Sequence, residues 1–142
     1  MTPNFYNKPR PVVDPDSKGF WEHALHHRLV VQQCLDCGDK HFPPGPVCPN
    51  CLCDQQQWLQ ASGKAKLVSW VNFHRAYWDG YRDELPYNAC LVQLEEGPLM
   101  VSNLVGRVPE SFRVGMPLRV VFDDLTDDFS LPVFVAEQEV AA

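Results

Sequence analysis

The sequence predicts a mainly β protein: a short N-terminal helical segment, a zinc ribbon, and a five-stranded OB-type barrel. Three observations carry this expectation. Four cysteines stand as two CxxC pairs in "CLDCGDKHFPPGPVCPNC", Cys34 to Cys51. Eight of the 13 prolines fall in the first 49 residues, so an irregular front gives way near Gly63 to a patterned back. From Lys64 onward, five segments read as strands bounded by Gly, Pro or acidic turns.

The elements follow in chain order. Pro3, Pro9, Pro11 and Pro15 make the first 16 residues an extended arm, because proline removes a backbone donor and keeps the preceding residue out of the helical region. In "DSKGFWEHALHHR", Asp16 or Ser17 is placed to cap a helix whose stripe is Phe20, Trp21, Ala24 and Leu25. His26, His27 and Arg28 suit its negative C-terminal end. The stripe either packs on its own domain or offers Phe20 and Trp21 to a ligand or partner.

"LVVQQC" is predicted to lead as a strand into the first cysteine pair, and "QQWLQAS" to leave the second. In "KAKLVSWVNFH" strict alternation puts Ala65, Leu67, Ser69, Val71 and Phe73 on one face and Lys64, Lys66, Val68, Trp70, Asn72 and His74 on the other. "YNACLVQLEE", "PLMVSNLVG", "MPLRVVFDDL" and "PVFVAEQ" supply four more strands. So many strands in so short a span favour closure, which removes exposed sheet edges. The expected organisation is an arm and helix over 1–28, the ribbon over 29–62, and the barrel over 63–142.

Each CxxC turn presents two sulfurs from one tight knuckle, and two knuckles complete a tetrahedral zinc shell: Cys34, Cys37, Cys48 and Cys51. Gly38 and Pro49 suit the turns. Four thiolates leave no open coordination position, so the zinc is expected to be structural. Cys53 is an alternative to Cys51 as a ligand, and mid-strand Cys90 reads as a small buried hydrophobe. The start "MTPNFYNKPRPVVDPDS" has no apolar signal core and no run approaches membrane length, so a cytoplasmic protein is expected. There thiols stay reduced, which favours metal over disulfides.

Charge narrows the function classes. The chain carries 12 Lys plus Arg against 18 Asp plus Glu, and residues 64–142 alone have seven basic and 12 acidic side chains. No basic stripe tracks a phosphate backbone, so nucleic-acid binding, which ribbons and OB folds often serve, is disfavoured. A self-contained enzyme is disfavoured too. His74 is a possible base, and Cys90 has no neighbouring base in sequence. By contrast, "HRAYWDGYRDELPY" crowds Tyr77, Trp78, Tyr81 and Tyr87 between strands, as in interfaces or as loop packing over the barrel mouth. Arg75 and Arg82 are the cations nearest this segment, with Lys64 and Lys66 next. "DDLTDD" reads as a solvated acidic turn.

In order and spacing, "GFWEHALHHRLVVQQCLDCG", the two knuckles, "SWVNFH", "LPYNACLVQLEEGP" and "GMPLRVVFDD" resemble the acyl-CoA-associated OB-fold proteins with a rubredoxin-like zinc ribbon, long catalogued as a domain of unknown function. The likeness runs from about Gly19 to Phe134, with His27 and Ala65 standing where that family often has glycine. It implies a non-catalytic accessory subunit of a thiolase-like acyl-CoA enzyme (thiolase, sterol side-chain aldolase or acyltransferase type). In that family the barrel bridges subunits and helps house a CoA-thioester. Partnership with hotdog-type enoyl-CoA hydratases is the alternative. Partner or acyl-CoA contact is then expected at Phe20, Trp21, His74, Arg75, Tyr77, Trp78, Tyr81, Arg82 and Tyr87.

Overall fold

The computed structural model describes residues 8–137. Residues 1–7, including Pro3 of the expected arm, and residues 138–142 lie outside the described part. Among the described residues the chain forms an α-helix, α1 (Lys18–Leu25), two short 3-10 turns and eight strands in two sheets.

Helix α1 begins at Ser17, one of the two expected cap positions, through a reciprocal box with Asp14. The Ser17 N–H donates to Asp14 Oδ1 at 2.7 Å and the Asp14 N–H donates to Ser17 Oγ at 3.1 Å. Neither Asp16 nor the Ser17 side chain caps the first helical turn directly. Pro15, between the two, leaves no donor to satisfy. Phe20 and Ala24 are buried, Trp21 is half-buried and Leu25 is exposed, so the apolar stripe is narrower than expected. A Cβ on Gly19 would lie 2.4 Å from Trp58 Nε1, so only glycine lets the helix approach that ring so closely.

The first sheet has the order β2 (Lys40–His41), β1 (Val30–Cys34), β3 (Gln56–Gln60), all antiparallel. Two-residue β2 has no period to read and was not foreseen. Leu29, Val30 and Val31 at the start of the ribbon are buried and apolar, but toward the cysteines its interior is polar. Buried Gln32 grips Gly45 at both ends, donating to its carbonyl at 3.1 Å and accepting from its N–H at 2.9 Å. Gln56 donates to the same carbonyl at 3.0 Å and meets His41 through its other amide atom. An interior held by amides contributes little hydrophobic stabilisation, so the ribbon needs another fastening.

The second sheet runs β6 (Leu99–Ser102), β5 (Tyr87–Leu94), β4 (Lys64–Phe73), β7 (Pro117–Asp124), β8 (Ser130–Ala136), every neighbour antiparallel. It closes through a parallel bridge between Leu104 and Phe134. The Phe134 N–H donates to Asn103 O and the Val105 N–H to Phe134 O, both at 2.9 Å. Asn88 on β5 fixes this seam, accepting from Leu104 N at 2.9 Å and donating to Leu104 O at 2.8 Å. This is the expected OB-like topology.

Strict alternation fails inside β4. The pairing with β5 shifts between Leu67 and Ser69, leaving Val68 as the extra residue of a bulge. Beyond it every side chain changes face. Trp70, opposite buried Cys90, turns inward against Phe112 with ring centroids 5.5 Å apart, while Val71 becomes exposed. The two sheets share one hydrophobic core: Phe20, Leu29, Val30 and Val31 join Leu67, Val92, Leu94, Leu104, Leu118 and Phe134. Burial therefore runs across the expected boundary at residues 62 and 63.

Candidate metal centre and contact face

The two knuckles have matching backbones. Gly38 N–H donates to Cys34 O at 3.1 Å and Leu52 N–H to Cys48 O at 2.9 Å. The residue after each knuckle is left-handed, Gly38 at φ 79° and Leu52 at φ 66°. Leucine holds that conformation at a cost, so the second knuckle is the more strained. Backbone N–H groups point at sulfur: Asp36 and Cys37 to Cys34 Sγ at 3.4 and 3.5 Å, and Asn50 to Cys48 Sγ at 3.4 Å.

The sulfurs of Cys34, Cys37, Cys48 and Cys51 lie within 4.8 Å of one another, with Cys34 to Cys51 at 3.5 Å and Cys37 to Cys48 at 3.6 Å. A tetrahedron with metal–sulfur bonds of about 2.3 Å has edges of about 3.8 Å. The cluster fits zinc, and no disulfide links its members. Cys53 is outside it. The thiols are polarised against each other. Cys34 is pulled down to about 6, first by the Cys37 N–H, and Cys37 is lowered chiefly by the Asn50 amide. At Cys51 the N–H of Cys53 acts to lower the pKa, but burial and the neighbouring thiols prevail and push it to about 12. Four thiols cannot all ionise side by side; a dication at their centre would release the remaining protons. His41, buried beside Cys48 and bonded to Asp39 at 3.2 Å, braces the cluster and escaped the sequence reading because its partners are set by β2.

The predicted contact residues gather on one side of the barrel. Phe73 on β4 stacks on Tyr87 of β5 at 5.1 Å, Tyr87 on Tyr81 at 4.7 Å, and Tyr81 meets Trp78 at 6.2 Å. Tyr77, edge-on to Phe73 at 6.3 Å, and Trp78 are 59% and 54% exposed at the two ends of this ladder. Tyr81 and Tyr87 also form one wall of a groove of about 380 Å³ whose other walls include Phe20, Trp21 and Phe42 from the helix and ribbon. The helix and the loop, remote in sequence, thus line one groove. Its floor is Ala89, Met100 and Val101.

Four of the predicted contact residues make other contacts or stand outside the groove lining. Phe20 is a core residue, T-shaped against Trp21 at 5.1 Å and tilted on Phe42 at 5.4 Å, and offers the groove only an edge. Arg82 is ion-paired with Asp79 at 3.0 Å. Arg75 lies over the Tyr77 ring at 5.3 Å, while His74 is exposed at the end of β4 and stands outside the groove lining.

Acid–base chemistry finds little support in the described residues. Burial pushes the Cys90 thiol up to about 11. Asp124 bonds both His27 and Ser130 at 2.8 Å, the residue types of a hydrolytic triad. Here the carboxylate stands in the middle and Ser130 is wholly buried, so the histidine cannot take the serine proton. The set is instead an anchor. His27 is left-handed at φ 57°, stacks on Phe122 at 5.1 Å, and ties the end of α1 to β7. No helix of the described residues is long and apolar enough to cross a membrane.

A cysteine-knuckle ribbon sharing its core with an OB barrel, and carrying an aromatic groove where the two meet, defines the class of protein. Comparison with known proteins gives the family. Residues 21–55 match the family described as "ChsH2, rubredoxin-like zinc ribbon domain" and residues 58–123 match "ChsH2, C-terminal OB-fold domain". The chain belongs to this DUF35 (ChsH2-type) family. It is 35% identical over 103 residues to a "DUF35 domain-containing scaffold protein" of Pyrococcus furiosus, covering 72% of this chain and 74% of that protein. It is 35% identical over 127 residues to a "Probable enoyl-CoA hydratase alpha subunit" of Thermomonospora curvata, covering 89% of this chain but only 39% of that longer protein. A solved structure described as "Ltp2-ChsH2(DUF35) aldolase" superimposes with a TM-score of 0.82 at 33% identity, over 89% of this chain and 98% of the matched one.

Proposed function

We propose that this protein is a non-catalytic scaffold subunit that docks on an acyl-CoA enzyme of the aldolase or thiolase-like type and helps to form its acyl-CoA site. Zinc on Cys34, Cys37, Cys48 and Cys51 supplies structure, not chemistry: with four thiolates no position is open to water or substrate. The observation that carries the proposal is the aromatic face. Trp21, Tyr81 and Tyr87 converge from helix and loop on one groove, and Tyr77 and Trp78 remain exposed beside it. Tryptophan and tyrosine around an apolar floor are the residues that dominate binding interfaces. The kinship with a DUF35 scaffold protein and with the matched chain of an Ltp2–ChsH2 aldolase supports this role.

The second reading, a partner of a hotdog-type enoyl-CoA hydratase, rests on the relative named a hydratase alpha subunit. One experiment separates the two. Tagged chain is retained from the native cell extract at low salt, and the co-purifying proteins are identified by mass spectrometry. An aldolase or thiolase-like enzyme supports the first reading, a hydratase the second, and recovery of the chain alone would overturn both.

A further inference from the structure

Strand β4 outruns its neighbour on one side. β7 pairs with it only over Lys64–Lys66, and bonding on that side ends at Leu67, which donates to Met116 O at 3.1 Å and accepts from the Gly115 N–H at 2.7 Å. From Ser69 to Phe73 the strand is paired with β5 alone among the described residues. Alternation along β5 shows which backbone groups are left over. The Glu95 N–H donates to Lys64 O on the β4 side, whereas the Leu94 N–H donates to Pro98 O on the β6 side. Leu91, Ala89 and Tyr87 therefore turn their backbone groups to β4, opposite Ser69, Val71 and Phe73. The N–H and C=O of Trp70 and Asn72 point the other way, to an edge that no described strand pairs.

Such edges are ordinarily protected by lysine, proline or shortness. The stretch "SWVNF" has none of these, and the bulge at Val68 comes before it. Val71 is exposed on the outer face beside Ala89, with Leu91 and exposed Val101 in the next row. The edge also lies in the longest run of the chain without a carboxylate, Gln55 to Trp78. In a chain of net charge −6, two copies meet least repulsion there.

We propose that this edge pairs antiparallel with the same edge of a second copy, about a two-fold axis at Val71. Trp70 and Asn72 of one copy exchange both backbone hydrogen bonds with Asn72 and Trp70 of the other, so every outward group of the two residues is satisfied. Val71 faces Val71 in the close, non-hydrogen-bonded position, which covers its exposed methyls, and Phe73 faces Ser69. A second copy is the occupant that the edge itself specifies, since its twist matches by symmetry. In this register Lys66 falls level with Ala76 and Arg75 with Leu67, so no cation meets another. The pairing does not depend on the scaffold role.

Sedimentation velocity of the full chain over a range of concentrations is the test. The wild type should sediment as a monomer–dimer equilibrium. Val71→Lys sets like charges face to face on the axis and should raise the dimer dissociation constant about tenfold or more. Its melting temperature and zinc content should not change, because the side chain already lies in solvent; that control separates loss of pairing from loss of folding. Cysteines read the register. Val71→Cys should give a disulfide-linked dimer under oxidised glutathione, since facing Cβ atoms lie about 4.5–5.5 Å apart. Ser69→Cys should not, since its two copies lie more than about 13 Å apart across the axis. A wild type that is monomeric at every concentration, a dimer that Val71→Lys leaves intact, or equal cross-linking by both cysteine variants would overturn the proposal. So would dimerisation gained only on removing residues 1–7, which would make the chain's own arm the occupant. A monomeric wild type whose Val71→Lys variant loses its enzyme would likewise overturn it, in favour of a strand from that partner.

Discussion

At the scale of single residues, the polar anchors decide more than composition suggests. Asn88 holds both backbone groups of Leu104 at the barrel seam. Asn88→Leu should cost about 1–3 kcal/mol, because a buried donor and acceptor lose their partners together; urea denaturation measures it, and an unchanged midpoint would show the seam closing without the clasp. His27 and Asp124 join the helix to the barrel. The His27 hydrogen bond, then that of Ser130, holds the Asp124 carboxyl below its ordinary value. A depressed carboxylate stabilises the fold above its unfolded pKa, near 3.9, and loses that contribution as pH falls through the folded value. Asp124→Asn should therefore lower the melting temperature at neutral pH and flatten its fall below about pH 4; identical acid profiles for variant and wild type would refute the linkage. The sequence showed the four cysteines because ligand spacing is local. It did not show Asn88 or His41, whose partners are chosen by strand register.

At the scale of elements, the bulge at Val68 is the largest departure from pattern. Alternation placed Trp70 on the face of Lys64 and Lys66, and one inserted residue sent it inward to Phe112. Trp70→Ala should cost ~2 kcal/mol or more, as a half-buried aromatic in the core cluster does, where an outward tryptophan would cost almost nothing. The positions of the five barrel strands were legible, since apolar runs between Gly and Pro signals survive a single insertion. The face beyond the insertion was not, because a bulge has no reliable signal of its own. Helix α1 was legible in place and in its start at Ser17, but the partner of that residue was not: its side chain bonds back to Asp14 instead of into the first turn. Its close packing on β3 predicts that Gly19→Ala displaces Trp58 and lowers stability, measurable as a lower melting temperature and altered tryptophan fluorescence.

At the scale of the whole molecule, a small polar ribbon and a barrel are held as one body by a shared core on one side and a cysteine cluster on the other. Because the energy of binding a structural zinc is folding energy, Cys34→Ser with Cys37→Ser should abolish zinc content and unfold the ribbon; full zinc occupancy in that variant would remove the metal from the account. The shared core means the damage should reach the barrel as a lowered melting temperature. The fold and the knuckles could be read from the chain alone. The groove could not, because it exists only where helix, ribbon loop and β5 meet, although most of its aromatic residues had drawn notice separately. The central claim is that this groove and the ladder beside it hold an acyl-CoA enzyme, and the most direct test compares enzyme retention by wild type and Trp78→Ala from the same extract, with metal analysis of both samples. The account predicts an acyl-CoA enzyme and about one zinc per chain with the wild type, and zinc unchanged but enzyme much reduced with Trp78→Ala; equal retention by the two proteins would contradict it.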